Sequence, residues 1–145
     1  MKKVIFPLIA LALISPFSFA QDKPKGDKKE TQLESSMDKL SSAFRKLRRQ
    51  ITDPSKNENS LELVASIRAA AEESTKLEPA KAADIPADKR AAFVAEYKKQ
   101  MQEFLVQVDA LEAALKAKNN TSADEIVKKL AASQKAGHKE FKREE

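Results

Sequence analysis

The most regular hydrophobic pattern in the chain lies between residues 93 and 115. Apolar side chains recur there in steps of four and three, the spacing that places them on one face of an α-helix. The residues of this stripe are Phe93, Tyr97, Met101, Phe104, Val108, Leu111 and Leu115. The pattern predicts a long amphipathic helix whose apolar face is buried against other helices.

Three further segments show the same spacing and predict three more helices. They cover residues 31–51, residues 55–77 and residues 122–145. Their predicted inward positions, in chain order, are Leu33, Met37, Leu40, Phe44, Leu47 and Ile51 in the first segment, Leu61, Val64, Ile67 and Ala71 in the second, and Val127, Leu130, Gln134, His138 and Phe141 in the last. The last of these faces contains the only histidine of the chain.

Short polar motifs suggest where three of these helices begin. Ser55 with Glu58, and Ser122 with Glu125, have the spacing of a capping box, in which two side chains satisfy free backbone N–H groups at a helix start. Asp84 precedes the third helix and could accept hydrogen bonds from its first turn. We therefore expect helix starts at these three places.

The composition favours an all-α protein. The chain has two glycines and 34% charged residues, and it lacks the β-branched clusters that strands require. Four helices of about twenty to thirty residues joined by short or moderate links pack most readily as an antiparallel, up-down-up-down four-helix bundle. We assign this bundle to residues 31–145.

The N-terminal region has a different character. Residues 1–20 combine two lysines, a short apolar run and a small-x-small ending, which is typical of a secretory signal peptide cleaved after Ala20. Residues 21–30 contain no apolar side chain and predict a flexible tail. The apolar run is too short to span a bilayer, so we expect an exported protein that is not embedded in a membrane.

Charge and cysteine content narrow the function further. The formal net charge of +5 is too small to indicate nucleic-acid binding, and the cluster Arg45, Lys46, Arg48 and Arg49 is typical of a solvated helix face. Without cysteine, the chain cannot form disulfides or attach haem covalently. The sole histidine has no serine–acid partner pattern, so we do not expect an enzyme.

The position of His138 suggests a ligand-binding site. In the predicted bundle, the start of the first helix and the end of the last lie at the same end. Met37 and His138 then both lie about 10 Å from that end, and Phe104 falls in the same layer. Thioether and imidazole are a known pair of axial haem ligands. On the residues alone, the alternative remains open that Met37 is ordinary core packing and His138 a hydrogen-bonded core or surface residue.

Three segments resemble, in order and spacing, the soluble periplasmic cytochrome b-562 family. They are LESSMDKL (residues 33–40), IRAAAEESTK (residues 67–76) and AGHKEF (residues 136–141). In that family the first and last segments surround the axial methionine and the axial histidine. The similarity extends over nearly the whole chain after the predicted tail and is weakest in the third helix and the links.

The resemblance implies a periplasmic electron carrier that binds one noncovalent b-type haem. Met37 and His138 would be the axial ligands of the iron, and Leu40, Phe44 and Phe104 would line the haem face. The expected partners are the haem and a periplasmic redox protein whose identity the resemblance does not supply, and we expect a monomer.

Two positions depart from the family pattern next to the predicted histidine ligand. Gln134 replaces the family's arginine one turn before the histidine, and Gly137 replaces its tyrosine. Both changes alter the surroundings of the haem that the resemblance implies. The alternative function is a haem-free periplasmic helical bundle that acts as an interaction or stress-binding module.

Overall fold

The computed structural model describes residues 31–143, which contain four α-helices. They are α1 (Gln32–Arg48), α2 (Asn57–Thr75), α3 (Ala87–Lys116) and α4 (Asn120–Phe141). Two short 3-10 helices, Pro54–Lys56 and Ala80–Asp84, lie in the links before and after α2. The predicted signal peptide and N-terminal tail lie outside the described residues.

The helices form the predicted all-α, antiparallel four-helix bundle. Successive helices pack against each other along the chain, α1 on α2, α2 on α3 and α3 on α4. Between residues 31 and 143 there is no β-strand. Over the same range, no helix is both long enough and apolar enough to span a bilayer.

The core consists mostly of the predicted inward faces. Its buried side chains include Leu40, Phe44, Leu47, Ile51, Val64, Ile67, Phe104, Val108, Leu111, Leu115, Val127 and Leu130. Tyr97 and Phe141 are buried outside this main core. Several predicted inward residues are less buried: Leu33, Met37, Phe93, Met101 and Gln134 are partly exposed, and His138 is exposed.

The start of α2 corrects one of the predicted helix caps. The carboxylate of Asp53 accepts hydrogen bonds from the backbone N–H (3.0 Å) and the hydroxyl (2.7 Å) of Ser55. Ser55 therefore lies inside the first 3-10 helix, and α2 begins at Asn57 without a side-chain cap. The predicted capping box of Ser55 and Glu58 is wrong, because Asp53, two residues before Ser55, caps the 3-10 helix that precedes α2.

The other two predicted caps are also wrong. Asp84 lies in the second 3-10 helix, where its carboxylate pairs with Arg143, and α3 begins after Pro86 without a side-chain cap. At α4, Asn119 replaces the predicted Ser122–Glu125 box: its side-chain oxygen accepts the backbone N–H of Ser122 at 3.0 Å. The structure instead has a capping box at Thr31 and Glu34, at the start of α1.

Asparagine side chains join α4 to α2 and to the link after α1, at the end of the bundle away from His138. The Nδ2 group of Asn120 donates to the backbone carbonyl of Ile51 and to the side-chain oxygen of Asn57, both at 2.7 Å. These bonds link the start of α4 to the chain after α1 and to the start of α2. They fix the register of the helices at this end.

The link between α3 and α4 contains a residue in the left-handed conformation. Lys118 has φ 56°, a region that glycine favours and that costs other residues free energy. Its N–H bonds to the carbonyl of Leu115, and the N–H of Asn119 bonds to the carbonyl of Ala114, both at 2.9 Å. This is the Schellman pattern that ends helices, with lysine at the position where glycine is usual.

We expect Lys118→Gly to raise the free energy of unfolding by about 1 kcal/mol, because glycine adopts the left-handed conformation without steric cost. The measurement is chemical denaturation followed by circular dichroism. Ala117→Gly is the matched control: Ala117 has right-handed helical angles, so glycine there should lower stability or leave it unchanged. A Lys118→Gly variant less stable than the original protein would contradict this account.

Tyr97, the only tyrosine of the chain, is a buried polar anchor between α3 and α2. Its hydroxyl donates to the backbone carbonyl of Ser74 at 3.0 Å, and the side chain is 3% exposed. Burial raises the pKa of Tyr97 to about 12. The protonated phenol is therefore the form that the folded state favours.

This raised pKa predicts a loss of stability at alkaline pH. The contribution of Tyr97 is complete below the unfolded pKa near 10, and it is lost as pH rises through about 12. The full loss is about 3 kcal/mol, since each pKa unit corresponds to about 1.4 kcal/mol. Tyrosinate absorbance and denaturation at several pH values measure both quantities.

Tyr97→Phe is the control, because it removes the titrating group and keeps the ring. It should cost about 1 kcal/mol below pH 10, from the lost hydrogen bond, and should lack the additional alkaline loss. An original protein whose tyrosine titrates near 10, or a variant with the same alkaline loss, would refute the prediction.

Candidate functional site

A cavity of about 900 Å³ opens between α1, α3 and α4. Its wall is formed by the first turns of α1, the middle of α3 and the last turns of α4, together with the chain around Pro79 and Ala80. The apolar part of the lining consists mainly of Leu33, Met37, Leu40, Met101, Phe104 and Phe141. The cavity therefore lies between the main core and the buried pair of Tyr97 and Phe141.

One hydrogen bond fixes the register of α1 against α4 beside this cavity. The Nε2 group of Gln134 donates to the hydroxyl of Ser41 at 3.0 Å, and both residues line the cavity. Met37 precedes Ser41 by four residues, and His138 follows Gln134 by four. Because the helices are antiparallel, both residues lie about 6 Å beyond the bond toward the same end of the bundle.

The structure brings four of the five predicted site residues to the cavity. Met37, Leu40, Phe104 and His138 line it. Phe44 is not among the lining residues: it lies almost one turn deeper than Ser41 and is 2% exposed in the main core. The hydrogen bond between Ser41 and Gln134 lies between Phe44 and the open end of the cavity.

The two candidate ligands differ in exposure. Met37 is partly buried and packs against the main core. His138 was expected on the inward face of its helix, but its side chain is exposed because the cavity, and not a neighbouring helix, lies beside it. Within residues 31–143 the imidazole makes no hydrogen bond or ion pair, so its nitrogens are available to a ligand.

Polar side chains that the hydrophobic pattern did not identify line the deeper part of the cavity. Besides Ser41 and Gln134, Gln107 donates from Nε2 to the hydroxyl of Ser133 at 3.4 Å. The other polar side-chain atom of Gln107, the oxygen Oε1, is buried and has no hydrogen-bond partner among the described residues. Most of the polarity at this depth is therefore satisfied between helices.

Most of the charged side chains that line the cavity are exposed, and Glu96 is partly exposed. Glu34 and Asp38 on α1, Glu103 on α3, and Lys142 and Arg143 after α4 are all exposed. No charged side chain among the described lining residues is buried. The inner walls thus present neutral groups to a ligand, as an apolar cofactor requires.

Met101 and Gly137 are two further lining residues with distinct properties. Met101, on α3, brings a second thioether to the cavity. It lies on the apolar stripe about one turn before Phe104, and this position in the sequence could have identified it. A Cβ atom added to Gly137 would meet no atom within 4 Å. Packing within the described residues therefore does not require glycine there.

The cavity brings two candidate ligand side chains together with apolar side chains. The sulfur of Met37 and the imidazole of His138 come from different helices at one level. Leu40, Met101 and Phe104 supply apolar contacts. This donor set suits haem iron, and the neutral walls suit a porphyrin.

Comparison with known proteins agrees with this chemistry. A family model described as cytochrome b562 matches residues 32–142, a range that includes all four helices and both candidate ligands. No curated protein and no solved structure matches the chain significantly. The family match covers well over half of the chain and implies a haem-binding protein. The chain therefore belongs to the cytochrome b562 family.

Proposed function

We propose that the protein is a periplasmic electron carrier that binds one noncovalent b-type haem, with Met37 and His138 as axial ligands. The observation that carries the proposal is the bond between Ser41 and Gln134. It sets the two candidate ligands one turn beyond a fixed point, at the same level and on the same cavity.

The ligand pair supports electron transfer over other haem chemistry. A bound haem supplies an iron that gains or loses one electron. The thioether of Met37 favours the ferrous state and so raises the reduction potential relative to a second nitrogen ligand. Because Met37 and His138 would fill both axial positions, this chain offers no open site for oxygen or peroxide.

The walls would hold the haem by exclusion of water. Leu40 and Phe104 are nearly completely buried, at 3% and 6% exposure, and Met101 packs partly against the main core. Burial of apolar surface against such walls contributes about 25 cal/mol per Å². The chain has no cysteine, so these contacts and the two ligands must retain the haem without a thioether link.

Export to the periplasm follows from the predicted signal peptide of residues 1–20, with cleavage after Ala20. The periplasm would also contain the redox partner, and we propose that the carrier works as a monomer. In this proposal, the exposed charged residues that line the cavity, such as Glu34, Asp38 and Glu103, form the surface nearest the haem. Contact of the redox partner with this surface would give the shortest path for the electron.

Substitution of the ligands tests the proposal directly. With haemin added, the original protein should give a six-coordinate, low-spin absorption spectrum. Met37→Ala should change it to a high-spin spectrum with one axial ligand lost, and His138→Ala should lower haem affinity by more than about tenfold. Absorbance titration with haemin measures both effects.

Met101→Ala is the matched control for Met37→Ala, because it removes a thioether from the same cavity. The low-spin spectrum should remain, since Met101 supplies only a wall contact in this proposal. Loss of that spectrum in Met101→Ala, with no change in Met37→Ala, would assign the sulfur ligand to α3 and refute the role of Met37.

Haem should also stabilise the fold, because a ligand that binds only the native state raises the free energy of unfolding. The expected gain is about 2.7 kcal/mol when free haem is at a hundred times its dissociation constant. Differential scanning calorimetry with and without haemin measures it, with His138→Ala as the control. Equal stability with and without haemin would favour the haem-free interaction or stress-binding module instead.

A further inference from the structure

Two polar contacts fasten the end of α4 to the link between α2 and α3. The guanidinium of Arg143 donates from Nε to Oδ2 of Asp84 at 2.6 Å and from Nη2 to the other carboxylate oxygen. Lys81 donates from Nζ to the backbone carbonyl of Glu140 at 2.7 Å. We refer to these four residues as the clasp.

The opposite side of the same helical turn is held by α3. Gln100 donates from Nε2 to the carboxylate of Glu140 at 2.9 Å. The ring of Phe141 lies against Phe93 and Tyr97, with centroid distances of 5.2 and 5.3 Å. The last turn of α4 is therefore held by the link before α3 and by α3 itself, although helix ends ordinarily fray.

This turn is directly continuous with the backbone of the candidate ligand His138. The carbonyl of His138 accepts the N–H of Lys142 at 3.1 Å, one residue before Arg143. The exposed imidazole makes no hydrogen bond within residues 31–143, so only its backbone holds it in place. Contacts that stop the end of α4 from unwinding also preserve the direction of the imidazole.

The clasp is better suited to local positioning than to global stability. The side chains of Asp84 and Arg143 are each 50% exposed, and ion pairs that are this exposed contribute little to unfolding free energy. Their two parallel contacts nevertheless define an orientation. The guanidinium of Arg143 lowers the pKa of Asp84, so the pair is charged at neutral pH.

We propose that the clasp positions the axial histidine and slows the release of haem. This inference rests on the proposed function, because it assigns Asp84, Arg143 and Lys81 as positioning residues for His138. None of the three needs to touch the iron. When the clasp opens, the last turn of α4 frays, His138 leaves the axial position and the haem is lost faster.

The test compares haem-loaded original protein with Arg143→Gln and Asp84→Asn. The rate of haem transfer to an excess of a haem-scavenging apoprotein should rise by about fivefold in each variant, while the low-spin spectrum of the loaded protein remains. The charge-swapped double variant Asp84→Arg with Arg143→Asp should restore the rate to within about twofold, because it rebuilds an ion pair.

Lys128→Gln is the matched control. Lys128 forms an ion pair with Asp124 on α4, and it lies ten residues before His138, or about 15 Å along the helix. Its replacement changes the net charge of the protein by the same amount as Arg143→Gln and should leave the transfer rate unchanged. A rate increase of similar size in this control would attribute the effect to charge alone and overturn the proposal.

A second readout does not need haem. In the apo-protein, backbone amides of residues 138–142 should exchange with deuterium faster in Arg143→Gln than in the original protein, with the amides of the main core unaffected. Unchanged exchange at the end of α4, or a charge swap that fails to restore the transfer rate, would overturn the role of the clasp.

The outcomes also separate this proposal from the one on which it rests. Normal haem loading with original transfer rates in both single variants refutes the clasp and leaves the electron carrier intact. An original protein that binds no haem refutes both.

Discussion

The register of α1 against α4 controls what this bundle can bind. α1 and α4 are far apart in the sequence, and side-chain amides of α4 connect it to α1 and to the link that follows α1. Asn120 binds the backbone of Ile51 in that link at one end, and Gln134 binds Ser41 of α1 near the cavity. Met37 lies four residues before Ser41 and His138 four residues after Gln134, so both lie about one turn beyond the second bond, and both line the cavity.

The fold could be predicted from the sequence because apolar residues recur at helical spacing in all four segments. All four stripes became helices, and most of their members are buried. The helix starts could not be predicted, because several polar residues near each start can cap the helix. Contacts with neighbouring elements decide which of them does so. Asp53 caps ahead of Ser55, Asn119 caps ahead of Ser122, and Asp84 is bound by Arg143.

The sequence predicted where the candidate site lies along the axis of the bundle, but not which of the neighbouring residues line the cavity. Counting residues from the helix ends brought Met37 and His138 together, since rise per residue is nearly constant. Leu40 and Phe44 were expected from the family resemblance, which does not show where the helices of this chain come into contact, and so it did not separate Phe44, which is in the core, from Leu40, which lines the cavity. The clasp depends on a long-range pair between a link and the chain end, and no local pattern indicates such a pair.

Gly137 has a consequence for how proteins of this kind diverge. Because a Cβ atom there would meet no atom within 4 Å, the helix can accept alanine at this position without repacking of the bundle. The cost or gain to the apo-protein is then limited to helix propensity, about 1 kcal/mol between glycine and alanine. Selection can therefore retune the environment of the cofactor at one site while the scaffold stays the same.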